Sequence, residues 1–388
     1  MRVLVASTGG AGHFNPLVPF IEALHRRGDQ VLIVGPPELK AMAEATGQPF
    51  QSGAAPTPRD LDLIWHRFPT LPPREAAVLI NRELFGRLCT AAMLPAVERA
   101  IEAWRPDLVL RDPCEYASAI VAGRSGILHA QVAISQARIE ASSLTLAARS
   151  LEPHRSGIVA KIRAAPYLTR FPATLDPAAF SDTRRFAESA TARNEPLPDW
   201  WGGSDAPLVY VTFGSIAGGL PIGPAAYRAV LKAIEGLHAR VLLTVGRTTD
   251  LHSIGSVPAS VHVEAWVPQR DVLAAAQVVV CHGGSGTTFG ALAAGVPLVM
   301  VPMWADQPAN ARAVAAAGAG RVVAPGAGGL NKMYAIETDD APRIRAAIES
   351  VLADRSHQEA ASRIAAEMRE YPTIDSLLAT LGSGRPDG

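Results

Sequence analysis

In this 388-residue chain, two stretches carry side chains whose types and spacing suit chemistry. The first is Thr8-Gly9-Gly10-Ala11-Gly12-His13-Phe14-Asn15-Pro16, between an apolar run at Arg2–Ser7 and a helical pattern through Leu17, Phe20, Ile21 and Leu24. Glycines here permit positive φ and close approach of a ligand to the backbone. Asn15 suits the N-cap, Pro16 the first helical position and Gly28 the residue past the helix end. His13 is thereby expected at a strand-to-helix turn, where a parallel α/β sheet opens to ligands. An imidazole there can take a proton from a hydroxyl. A helix start disfavours imidazolium, so a carboxylate partner would help. Asp112, in Arg111-Asp112-Pro113-Cys114-Glu115-Tyr116, comes after another strand pattern and is the candidate. The milder alternatives are a histidine that only bonds its own loop and an aspartate that caps the stretch after Pro113. A dinucleotide site does not fit: G-x-G-x-x-G would need glycine where Asn15 stands, and no Walker A lysine is present after it.

The second stretch is His282-Gly283-Gly284-Ser285-Gly286-Thr287-Thr288, between the strand pattern Val278–Cys281 and an apolar helix to Ala294. A glycine-rich turn opening a helix presents free N–H groups and a positive helix end, which suits phosphates. Ser285 and Thr287 add hydroxyls, and His282 a ring donor. Upstream, Trp266-Val267-Pro268-Gln269 offers an indole face on which a base can stack. Downstream, Asp306 and Gln307 can receive sugar hydroxyls. Ser215, at the end of Thr212-Phe213-Gly214-Ser215, is a further candidate for phosphate. Each has a plainer alternative: a tight turn without ligand, a core tryptophan, a pair of helix caps.

The elements that must position these residues alternate along the chain. Arg2–Ser7, Gln30–Val34, Asp107–Leu110 and Ile127–Ala133 read as strands in the first half. Leu208–Phe213, Arg240–Val245, Val261–Glu264, Val278–Cys281 and Pro297–Val301 do so in the second. Helical stretches such as Ala91–Ala103, Pro224–Gly236 and Asn310–Ala317 lie between them. Apolar strands alternating with helices imply parallel sheets covered on both faces. The pattern restarts near Pro207, after a Pro-, Gly- and Ser-containing stretch with Trp200 and Trp201, which is the expected linker. The tryptophans imply that this linker packs on something. Thr57–Leu88 and Ser135–Phe180 break the alternation, as pocket-building insertions or as ordinary surface excursions.

Composition narrows the classes. Apolar residues make up 48% and charged residues 19%, a globular balance. Lys+Arg and Asp+Glu both number 36, so no basic excess points to nucleic acid or an anionic membrane. Cys89, Cys114 and Cys281 are odd in number and widely spaced, which suits a reducing cytoplasm better than a disulfide framework. No stretch approaches the ~18 consecutive apolar residues of a membrane span, and the N-terminal apolar run is too short for a signal peptide.

Taken together, these motifs resemble the nucleotide-sugar-dependent glycosyltransferases of α/β GT-B architecture, with two facing Rossmann-like doubly wound domains and an interdomain cleft. Within them the chain is similar to bacterial enzymes that decorate polyketides and other antibiotics. The W-x-P-Q, H-G-G-x-G-T and D-Q-x-x-N elements between Trp266 and Asn310 carry most of the likeness, and Gly12-His13-Phe14-Asn15-Pro16 adds to it. The resemblance implies residues 1–193 as acceptor domain, 194–206 as linker, 207–365 as nucleotide-sugar domain, and 366–388 as a helix returning to the first domain, with a tail. It implies His13 as base with Asp112 as its partner. Trp266 and Val267 would lie at the base and Gln269 near the nucleoside. His282, Gly284, Ser285, Gly286 and Thr287 would hold the diphosphate with Ser215 nearby, and Asp306 and Gln307 would hold the sugar. Such enzymes invert the anomeric carbon without a bound metal or other cofactor; donor and acceptor are the expected partners. A homodimer is left open. Rival readings are a catalytically silent nucleotide-sugar-binding helper, a lipid-acceptor enzyme, a C-glycosyltransferase and a UDP-sugar user. One departure bears on the last: plant relatives place a ribose-binding glutamate where this chain has Gly290. That favours a donor without a 2′-hydroxyl, such as a dTDP-sugar, unless the glycine serves only helix packing.

Overall fold

The computed structural model describes residues 1–187, 195–214, 222–247, 249–324 and 336–382. The chain divides into two compact units, Met1–Ser189 with Tyr371–Gly388, and Ala190–Glu370. Among the described residues no helix is long and apolar enough to cross a membrane.

The first unit is built on seven strands: β1 (Arg2–Ala6), β2 (Gln30–Gly35), β3 (Phe50–Ser52), β4 (Leu108–Arg111), β5 (Leu128–Val132), β6 (Tyr167–Thr169) and β7 (Thr183–Arg185). All pair in parallel, in the order β3-β2-β1-β4-β5-β6-β7. Chain order reverses between β1 and β4, and loops leaving neighbouring strands in opposite directions open a crevice there. β4 is buried along its whole length, as a strand covered on both faces must be. On one face Phe20 and Leu24 of the helix Val18–Arg26 share a core with Ile374, Leu377, Leu378 and Leu381 of the last helix, Ile374–Gly382. The Arg26–Asp375 ion pair beside them is well exposed, so burial and not charge secures that helix.

The two stretches that break the alternation are largely helical, and they pack on each other. The helices Pro58–Arg67 and Pro73–Val78 lead into a π-helical segment, Leu79–Cys89, with a small core of Ile64, Leu79 and Leu84. That segment lies on the helix Ala137–Leu151: Arg82 Nε donates to the Leu146 carbonyl at 3.3 Å, and Ser150 Oγ to that of Arg82 at 3.1 Å. β6 falls inside the second stretch and extends the sheet.

The second unit holds β8 (Leu208–Thr212), β9 (Arg240–Thr244), β10 (Val261–Glu264), β11 (Val278–Cys281), β12 (Leu298–Met300) and β13 (Gly320–Val322). Their order is β10-β9-β8-β11-β12-β13, again all parallel, with the reversal between β8 and β11. The helix Gly223–Ile234 packs Tyr227, Val230 and Ile234 against Val209 and Val211. The linker tryptophans are docked here. Trp200 stacks on His262 with centroids 4.1 Å apart, and Trp201 Nε1 donates to the Ser260 carbonyl at 3.3 Å.

Candidate functional site

In the first unit the crevice between β1 and β4 brings His13 and Asp112 together. The chain leaves β1 through Gly10, whose φ of 102° no larger residue adopts easily, and turns at once into a helix. Helix therefore begins at Ala11, with Gly10 as its N-cap, ahead of the expected cap at Asn15. Asn15 has helical φ and ψ and opens a 3₁₀ turn, Asn15–Leu17, that joins the two α-helical pieces. The earlier start puts His13 inside the first turn. Gly28 ends the second piece at φ 75°, with Asp29 N–H bonded to the Leu24 carbonyl.

Asp112 is fully buried and wholly satisfied. Its Oδ2 accepts from Thr8 N–H at 2.6 Å and Thr8 Oγ1 at 3.1 Å. Its Oδ1 accepts from Cys114 N–H at 2.7 Å and meets His13 Nδ1 at 3.1 Å. The aspartate thus both caps its own turn and partners the histidine. Burial pushes its carboxyl up, but the His13 charge and hydrogen bond, with the N–H groups of Thr8 and Cys114, outweigh that and hold it below the usual range. An ionised carboxylate accepts, so Nδ1 carries a proton towards it, and in the neutral tautomer Nε2 then keeps a lone pair. Phe85 of the π-helical segment stands against the imidazole, centroids 5.4 Å apart.

Two groups around this pair carried no sequence expectation. Arg111 is completely buried, and its guanidinium donates to the carbonyls of Asp112, Pro113 and Glu115 at 3.0, 3.2 and 3.1 Å and to Gln131 Oε1 at 3.2 Å. It therefore fastens the turn that presents Asp112. Glu140 accepts from Ile134 and Ser135 N–H at 2.8 and 2.6 Å, and burial pushes its carboxyl up to about 8. Residue type alone gave no signal for either: both roles arise from burial, which tertiary packing decides.

In the second unit His282 comes directly after β11 and its ring lies beside Gly214, just past β8. A Cβ on Gly214 would stand 3.0 Å from the ring, and one on Gly284 only 2.5 Å from Nε2. The glycines therefore make room for the imidazole itself. Burial pushes His282 down to about 4, so it is neutral at neutral pH. The helix Ser285–Ala293 starts here, and the first N–H groups of a helix have no partner within it. Around Gly286 the space is open: a Cβ would meet nothing within 4 Å. Thr287 is buried one residue on.

Ser285 Oγ donates to Asp306 Oδ2 at 2.6 Å, rather than standing free as a donor. Asn310 Nδ2 donates to the Gly283 carbonyl, Ser285 Oγ and Asp306 Oδ2 at 2.9, 3.1 and 3.0 Å, tying the glycine turn to the helix Gln307–Ala316. Gln307 Oε1 accepts from Met303 and Trp304 N–H at 2.8 and 3.0 Å and shapes the loop before that helix. Trp266 is no core residue: 55% of it is exposed, with the Arg247 guanidinium 5.2 Å from its ring. Val267 is partly exposed beside it. Gln269 reaches the helix Ser285–Ala293, its Oε1 3.1 Å from where a Gly290 Cβ would be. Ser215 lies outside the described residues.

Two parallel α/β sheets of seven and six strands, one in each unit, define the GT-B fold. The spinosyn rhamnosyltransferase SpnG shares it, with a TM-score of 0.78 at 25% identity, covering 98% of this chain and 99% of that one. That enzyme has also been solved with thymidine diphosphate. A profile of the erythromycin biosynthesis protein CIII-like C-terminal domain matches residues 228–381. Elloramycin glycosyltransferase ElmGT of Streptomyces olivaceus is 32% identical over 404 residues, covering 98% of this chain and 97% of its own. L-demethylnoviosyl transferase of Streptomyces niveus is 30% identical over 385 residues, covering 96% and 95%. The chain belongs to this natural-product glycosyltransferase family, and it is a glycosyltransferase.

Proposed function

We propose that the protein moves a sugar from a dTDP-sugar to a hydroxyl of a small, largely apolar natural-product acceptor such as a polyketide, with inversion and without a metal. The contact between His13 Nδ1 and Asp112 Oδ1 at 3.1 Å carries the proposal. With Nδ1–H held by the carboxylate, Nε2 takes the acceptor's proton as its oxygen attacks the anomeric carbon. Asp112 then stabilises the imidazolium that forms. The bond from the anomeric carbon to the diphosphate breaks, and the diphosphate leaves with the negative charge. The neutral His282, the hydroxyl of Thr287 and the N–H groups at the start of Ser285–Ala293 receive that charge. Trp266 stacks on the base, with Val267 and Gln269 at the nucleoside, and Asp306 and Gln307 take the sugar hydroxyls. Residues 1–193 serve the acceptor, 207–365 the donor, joined by 194–206, with 366–388 completing the first.

The thymidine preference rests on Gly290. No carboxylate stands there for a 2′-hydroxyl, and the Gln269 side chain fills the adjoining space. An unmatched hydroxyl facing water weakens binding only modestly, so the expected preference is about tenfold in kcat/KM, or ~1.4 kcal/mol. The test presents one sugar on dTDP and on UDP with a panel of aromatic and macrolide acceptors, and reads the product's anomeric configuration by NMR. Retention of configuration rejects the mechanism, and equal or UDP-favouring kcat/KM rejects the donor assignment.

A further inference from the structure

Cys114 takes no part in the chemistry proposed above, yet its thiol stands against both members of the pair. Its sulfur, an imidazole nitrogen of His13 and a carboxylate oxygen of Asp112 all lie within 4.8 Å of one another. Thiolate, imidazole and carboxylate are the ligands that zinc-class cations prefer, at about 2.3 Å to sulfur and 2.0–2.2 Å to nitrogen and oxygen. Two nitrogen or oxygen ligands at such lengths on a tetrahedral cation stand roughly 3.3–3.5 Å apart, a few tenths of an ångström more than a hydrogen-bonded pair. His13 Nδ1 and Asp112 Oδ1 are 3.1 Å apart. A cation thus fits in place of the proton they share, with little movement of either group. The same turn holds the thiol nearby, since Cys114 N–H donates to Asp112 Oδ1 at 2.7 Å. Thr8 donates to the other oxygen, so the carboxylate stays oriented after His13 lets go, as outer-shell partners of metal ligands do. The His13 side chain is 22% exposed, which gives a cation its approach.

We infer that His13, Asp112 and Cys114 form a binding site for a zinc-class divalent cation, whose capture switches transfer off. Capture is ligand exchange without redox change: bonds form from the metal to sulfur, Nδ1 and Oδ1. The thiol proton leaves to solvent, and the imidazole proton passes from Nδ1 to Nε2. The nitrogen that would accept the acceptor's proton then already carries one. The inhibitory consequence rests on the proposed role of His13; the binding does not.

Cobalt(II) titration of the reduced protein, with no donor or acceptor, reads binding directly. The expected spectrum has the intense visible bands of a tetrahedral site and a near-ultraviolet thiolate-to-cobalt band, both abolished by zinc. Cys114→Ser should lose the thiolate band and bind at least about tenfold more weakly; Cys114→Ala serves if serine disturbs the fold. Cys89→Ser should change neither. In the transfer assay zinc should inhibit the wild type reversibly by chelator, and Cys114→Ser should stay active while needing at least about tenfold more zinc. A missing thiolate band, or cobalt affinity unaltered in both Cys114 variants, overturns the site. The band without transfer on any donor rejects the function and the inhibition while the site stands. Transfer that zinc leaves untouched rejects the inhibition.

Discussion

The two units place their candidate chemistry at the same point of the same kind of sheet, yet fill it in opposite ways. At the β1–β4 reversal the groups are ionisable and buried: Asp112 is held charged and the Cys114 thiol is pushed up by burial, as Glu140 is in the turn and helix after β5. At the β8–β11 reversal there are glycines, a histidine pushed down to about 4, and helix-start N–H groups. A sheet reversal supplies a crevice and nothing more; in the proposed function, the residues of the loop that leaves each strand decide between moving a proton and receiving a charge. The same burial that neutralises Glu140 fails at Asp112, because there Thr8, Cys114 and His13 all donate to the carboxylate.

The largest test of that division is to remove the proposed base. His13→Ala should lower kcat by ~10²–10⁴ while leaving dTDP affinity within about twofold, by steady-state kinetics and calorimetry. A parallel loss of nucleotide binding would erase the contrast between the units. Asp112→Asn should cost less, since it removes charge support and the tautomer preference but leaves the ring.

The next test turns to the glycines of the second unit. Gly286→Val should fold with an unchanged Tm, because its Cβ meets only open space, yet lose about tenfold or more in dTDP affinity. Gly284→Ala should lose both, because its Cβ displaces the His282 ring. Unchanged calorimetric affinity in Gly286→Val would move the cradle elsewhere.

The smallest effect is read through pH. Glu140 titrates near 8 when folded and near its ordinary 4.5 when unfolded, so folding takes up a proton between those values. Its contribution is complete below 4.5 and is lost as pH rises through 8. His129 and His282, pushed down to about 3 and 4, act in the opposite sense: stability falls as pH drops below 6.5. Between pH 6.5 and 8 the Glu140 effect should therefore stand alone among these three. Urea midpoints should fall over that window in the wild type and stay flatter in Glu140→Gln, a slope of at most about 1.4 kcal/mol per pH unit. Equal slopes would mean that Glu140 is ionised when folded.

Much of this was legible in residue order. Strand runs such as Val278–Cys281 are apolar throughout, and a histidine after a strand and a glycine turn marks a sheet mouth. Asn15 misled because Asn-Pro is good cap chemistry, whereas Gly10 can start a helix with no side chain at all. β3, β6, β7 and β13 span three residues each, too few for any periodicity, and lie at or beside sheet edges. The π-helical turn that sets Phe85 against His13 has no repeat to read. Arg111 stood in plain view inside a motif, but only the folded chain makes it a clamp on three carbonyls.

The return of the last helix sets an order of events at the ribosome. The first unit's core includes Ile374, Leu377, Leu378 and Leu381, which are translated after the whole of the second unit. The portion made first therefore cannot bury its own apolar face until these residues emerge. During most of synthesis the nascent chain carries a nearly finished sheet with an uncovered patch, a hazard that chaperones handle for slowly completed cores. A stop codon shortly before residue 374 would leave the second unit's sequence intact and yield a chain prone to aggregate through the first.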